Sequence, residues 1–181
     1  MVDLSIIINS SNPKGLPACL YWIAQNAINN PLRLEILSRE VSPELREFVS
    51  VLPVSIVKDG VNAIEVAKAP YILYMLDTMI PWKNSLFYLV NNARHFLTDG
   101  KTQFVLPSIY KLPVKANDKL DKYKANLTQK MVDYCLAEPP QENLLMTYAT
   151  NKQTALHIET HCGLEFKTET CPEVLFLNQE F

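Results

Sequence analysis

The sequence predicts a three-layer α/β sandwich around a mainly parallel sheet, and three observations lead there. Apolar strand-like runs alternate with helical stripes along the whole chain. The run Tyr71-Ile-Leu-Tyr-Met-Leu76, bounded by Pro70 and Pro81, has almost no polar side, as expected of a strand covered on both faces. A single carboxylate, Asp77, follows it directly, at the carboxyl end of a strand, where open α/β sheets gather their ligand-binding loops.

Each element has its own justification. Leu4-Ser-Ile-Ile-Ile8 is β-branched and apolar and predicts the first strand; the polar SSNPKG loop ends it, and Leu16, Leu20, Ile23 and Ala27 then recur at helical spacing from Pro17. Leu32-Arg-Leu-Glu-Ile-Leu37 alternates apolar and polar residues and predicts a second strand. Ser42-Pro43-Glu44 supplies an N-cap, a first-turn proline and an early acid for a short helix to about Val49. Val54–Val57 reads as a third strand, and residues 61–69 as a short helix feeding the strand at 71–76.

Beyond Pro81, Leu86, Leu89, Val90, Ala93 and Leu97 form one helical face that stops before Gly100. Residues 103–106 predict a strand. Leu120, Tyr123, Leu127, Met131 and Tyr134 predict the longest helix, broken at Pro139-Pro140. Strands at 144–148 and 174–177 and a helix at 152–161 complete the series, with no repeats and no linker, so residues 1–181 are expected to form one domain, with further segments beyond it left open.

Composition narrows the function. With 181 residues, 48% hydrophobic and 20% charged, the chain can bury a sizeable core. A net charge of −2 argues against a general nucleic-acid binder. Lys111, Lys115, Lys119, Lys122, Lys124 and Lys130 predict one basic face, most simply a solvated one, with an anionic acceptor or membrane surface as the alternative. No apolar run approaches the roughly 20 residues of a membrane span, and MVDLSIIINSS does not read as a signal peptide. Cys19, Cys135, Cys162 and Cys171 show no CxxC spacing, which fits a reduced, cytoplasmic setting. His157 and His161, four apart and near Cys162 and Cys171, have the residue types of a zinc site without the spacing of a finger or of HExxH. The absence of GxGxxG, GxxxxGK[ST] and GxSxG, with four glycines in all, disfavours dinucleotide and P-loop classes.

Asp3-Leu-Ser-Ile-Ile-Ile-Asn-Ser-Ser-Asn12, the second strand running toward Glu40, and Tyr71-Ile-Leu-Tyr-Met-Leu-Asp-Thr-Met-Ile-Pro81 together resemble the family-two glycosyltransferases of the GT-A fold. The resemblance covers residues 3–97, with a weaker echo at residues 150–165. It implies a nucleotide-diphospho-sugar transferase-like fold and a UDP-type donor whose sugar passes to a hydroxyl on a glycan, a lipid-linked acceptor or a protein. It implies that Ser10, Ser11, Glu40, Asp59, Asp77 and Thr78 contact the nucleotide sugar, and that Glu169 or Glu173 is the catalytic base. It also implies a divalent metal, Mn²⁺ or Mg²⁺, at Asp77, because hard cations take oxygen ligands and neutralise the leaving diphosphate.

The family holds that metal with Asp-x-Asp; this chain has one acid, Asp77-Thr78-Met79, so the metal is expected to bind weakly, with Arg39 and Lys58 as stand-in cations. Asp77 has the plainer alternative of capping the next helix or the Pro81 turn. The expectation is therefore a nucleotide-sugar-dependent transferase, with a catalytically silent GT-A-like binding module of a larger glycan-assembly protein as the alternative, and an unrelated nucleotide-binding α/β domain behind both.

Overall fold

The computed structural model describes residues 1–38, 43–50, 54–58, 62–113, 127–143, 145–158 and 166–181. The strands are β1 Leu4–Asn9, β2 Leu34–Ser38, β3 Val54–Lys58, β4 Tyr71–Leu76, β5 Met79–Pro81, β6 Phe104–Pro113, β7 Tyr148–Asn151 and β8 Thr168–Glu180. The helices are α1 Leu16–Asn29, α2 Pro43–Ser50, α3 Ala63–Val66, α4 Ser85–Phe96, α5 Gln129–Leu136 and α6 Lys152–Ile158, and a 3₁₀ turn, Pro13–Gly15, leads into α1.

The strands form one sheet in the order β3-β2-β1-β4-β7-β6-β8-β5. The first four are parallel neighbours, as the alternating strand and helix signals predict, since right-handed crossovers bring successive strand ends to the same side. The rest departs from the mainly parallel expectation. β7 is antiparallel to both β4 and β6, β8 is parallel to β6, and β5 closes the edge antiparallel to β8. After α5 the chain meets the sheet at Gln141, in an antiparallel bridge with Ile109 of β6, and β7 follows. The domain is thus α/β around a mixed sheet.

Helices cover both faces. On one, Leu20 and Ile23 of α1 and Leu86, Leu89 and Val90 of α4 bury Leu4, Ile6, Leu73, Met75, Val105 and Phe176. On the other, Ile64 of α3 and Ala155 of α6 pack against Ile7, Leu37 and Ile72. A third cluster joins Val132 and Cys135 of α5 to Trp82, Leu112 and Leu177. The strand-1 alternation explains the division, because Leu4 and Ile6 point one way and Ser5 and Ile7 the other.

Caps follow the sequence chemistry. The Asn62 side chain accepts the N–H groups of Ile64 and Glu65 at the start of α3, and Thr128 accepts that of Met131 at the start of α5. Gly100 adopts φ +69 beyond the end of α4, as its position predicts. Boundaries shift elsewhere: β6 and β8 run longer than predicted, the strand expected at 144–148 is β7 at 148–151, and of the predicted longest helix the described part is α5. Glu35, expected on the polar side of β2, is fully buried.

β8 carries an irregularity in its pairing with β6. Pro107 pairs with Cys171 and the next residue, Ser108, with Leu175, so Pro172, Glu173 and Val174 bulge out of register. Prolines at both places remove ladder donors, and bulges are where strands accept that loss.

Candidate functional site

β1 and β4 lie side by side in the parallel half, β4 being its last strand before β7, with Asn9 opposite Leu76, and β2 and β3 end on the same side at Ser38 and Lys58. Their carboxyl ends therefore share one rim. Asp77 continues the ladder by one bond, its N–H donating to Asn9 O at 3.1 Å.

The carboxylate of Asp77 turns inward. It is 3% exposed, and Oδ1 accepts the backbone N–H groups of Ser11 and Asn12, both at 2.8 Å. Oδ2 accepts the Ser10 hydroxyl at 3.3 Å. Its role is thus neither the helix cap nor the Pro81 turn that the sequence suggests as plain alternatives; it ties the β1 loop to the end of β4. Beneath it, burial and secondarily the Asp77 charge push the Cys19 thiol far above its ordinary range, so Cys19 stays a neutral thiol.

The loop is held from below as well. A Cβ at Gly15 would lie 2.8 Å from Asp77 O and 2.9 Å from the Thr78 Cα, so backbone meets backbone here without a side chain between. Gln179 of β8 clasps the same point, with its N–H and Nε2 donating to Thr78 O at 3.0 and 3.2 Å and Nε2 also to Gly15 O at 3.1 Å. Thr78, 5% exposed, donates its hydroxyl to Asn178 Oδ1 at 2.9 Å, and Asn178 Nδ2 donates to Gln141 Oε1 at 3.2 Å.

Of the residues predicted from sequence, Ser10, Ser11, Asp77 and Thr78 come together on this rim, Ser10 and Ser11 exposed. Glu40 and Asp59 lie outside the described residues, as do Arg39, His161, Cys162 and the lysines at 115, 119, 122 and 124. Glu169 and Glu173 are elsewhere. Leu73, Ala149, Val105 and Glu169 stand in one row across the sheet. Three strand spacings and the four residues from Leu73 to Asp77 set Glu169 on the order of 20 Å from Asp77. Glu173, exposed in the β8 bulge, accepts Asn92 Nδ2 of α4 at 2.7 Å. Burial, then the charges of Glu173 and Glu169, push the nearby Cys171 thiol up to about 12.

Asn178, Gln179 and Gly15 complete the rim and were not singled out from sequence; the polar Asn-Gln-Glu that follows the apolar run 174–177 of β8 was the available signal for the first two. The divalent metal implied by the family resemblance does not fit the described residues of the rim. A cation at Oδ1 would have to displace two backbone N–H groups, and Oδ2 alone is one ligand among the described residues where hard cations want about six. Among the described residues no group of three or more His, Cys, Asp or Glu is placed to hold a metal, and no helix is long and apolar enough to cross a membrane. No protein-family model matches the chain, and no curated protein matches it significantly.

Proposed function

We propose that the chain is a GT-A-like domain, three-layered about the parallel half of its sheet, that binds a nucleotide sugar, UDP-type favoured, at the rim formed by β1 to β4. The observation that carries this reading is the meeting of the exposed Ser10-Ser11 loop with the acid ending β4, at the carboxyl rim of four parallel strands. That is where the loops of such sheets converge on ligands. Lys14, exposed on the same loop, adds positive charge for a diphosphate, and Glu40 and Asp59 follow the ends of β2 and β3 in the chain.

Within this reading the site favours the binding module over the transferase. Asp77 is engaged with the backbone, and Glu169 and Glu173, the candidate bases, lie away from the rim. Transfer needs a base within hydrogen-bond reach of the acceptor hydroxyl, on a glycan, lipid-linked or protein acceptor. A soluble cytoplasmic setting accompanies the proposal.

Calorimetry with UDP and GDP, each with and without Mn²⁺, tests it. The expected result is UDP binding that Mn²⁺ changes by less than about threefold, since one engaged carboxylate gives the ion little to hold. No heat with either nucleotide overturns the reading. Strongly Mn²⁺-dependent release of nucleoside diphosphate from nucleotide sugars would instead restore the transferase.

A further inference from the structure

We propose that Asp77 is a positioning residue rather than a metal ligand: its carboxylate is the built-in anion of the 10–12 loop, and recognition at this rim is metal-independent. The ligand part of this inference rests on the nucleotide-sugar reading; the part concerning Asp77 does not.

Two successive backbone N–H groups converge at 2.8 Å on one oxygen, and the serine hydroxyl before them reaches the other. Hydrogen bonds to an ionised acceptor are about twice as strong as neutral ones, and stronger still where water is excluded. Asp77 has no such freedom as a metal ligand needs. Its own N–H is in the ladder to Asn9, its carbonyl oxygen faces Gly15, and Thr78, the next residue, is clasped by Gln179. The neutral Cys19 thiol beneath offers no competing charge. The exposed faces of Ser10 and Ser11 therefore owe their placement to a carboxylate that itself stays out of solvent. Asparagine at this position keeps an oxygen for both N–H groups, whereas alanine leaves them unpaired.

The test is amide NMR on ¹⁵N-labelled wild-type, Asp77→Asn and Asp77→Ala protein. In the wild type the Ser11 and Asn12 amides should be protected from hydrogen exchange and should show no selective broadening when Mn²⁺ alone is added. Exchange at these two amides should rise at least about tenfold relative to β2 amides in Asp77→Ala, with most of the protection kept in Asp77→Asn. UDP affinity should follow the same order, with or without Mn²⁺. Selective Mn²⁺ broadening of Ser11 and Asn12 that Asp77→Asn abolishes would overturn the proposal, as would unchanged exchange in Asp77→Ala. If Asp77→Ala does not fold, the wild type and Asp77→Asn with Mn²⁺ decide the matter. Failure of the wild type to bind UDP rejects the nucleotide-sugar reading, while the amide results still judge Asp77.

Discussion

Asn26→Leu is expected to lower the unfolding free energy by about 3 kcal/mol, because it strands several buried polar groups at once. Asn26 is fully buried on α1. Its Nδ2 donates to Trp22 O at 2.8 Å and to Pro81 O of β5 at 2.9 Å, and its Oδ1 accepts the Leu86 N–H of α4 at 3.0 Å. That last bond serves as the N-terminal cap of α4, since Asn84, the residue in the cap position, makes no capping bond of its own. The Asn84 side chain instead accepts Asn30 Nδ2 at 3.1 Å. Leucine keeps the branched shape of asparagine with bulkier tips and so leaves no cavity; the loss combines the broken polar joint among α1, β5 and α4 with a smaller overpacking cost. Urea unfolding followed by circular dichroism measures it. A change below about 1 kcal/mol would show that water or a shifted backbone satisfies those groups instead.

Gly15→Ala is expected to cost about 2–3 kcal/mol, an overpacking penalty with no backbone component. Gly15 has φ −78, which any residue adopts, so its requirement is for space alone. The nearest atoms to the new methyl are backbone atoms of Asp77 and Thr78, which lack the freedom of a side-chain tip to move aside. In a domain of this size such a loss corresponds to a fall in Tm of roughly 4–12 °C. Because the displaced atoms belong to Asp77 itself, protection of the Ser11 and Asn12 amides should fall with it. Thermal unfolding and hydrogen exchange on the one variant give both readouts, and a Tm within about 1 °C of wild type would mean that the loop and β4 separate easily.

Half of the fold was legible because it rests on local signals. The strands at β1 to β4 and the intervening helices show apolar runs, caps and prolines in the right places, and Asp77 was expected at the carboxyl end of the fourth strand, on the rim they share. The other half depends on pairing that periodicity does not record. Met79–Pro81 is three residues long and becomes a strand only because β8 lies beside it; its proline is tolerated because β5 is the sheet edge. Glu35 has the alternation of a solvent-facing residue, yet it is fully buried, its Oε1 accepting the Ser5 hydroxyl at 2.6 Å and the Lys68 N–H. The chain segment leading into β4 covers it, and nothing near Glu35 in sequence announces that. Asp77 shows the same limit at the site. Its position was readable, but whether it faces solvent or its own backbone depends on the path of a loop 65 residues earlier in the chain.

The placement of β8 has a consequence for how the protein comes into being. This strand lies inside the sheet, between β6 and β5, and its Gln179 touches Gly15 across 164 positions of sequence. During synthesis the N-terminal strands can pair with one another early, but β5 has no partner and the loop at residues 10–15 lacks its lower support until residue 179 has left the ribosome. Closing so long a loop is entropically slow, and the unpaired edges of β5 and β6 are open to wrong partners meanwhile. Nascent chains stalled before β8 should therefore carry a formed β1–β4 half and an unfinished rim, so the rim is completed last although its first residues are made first.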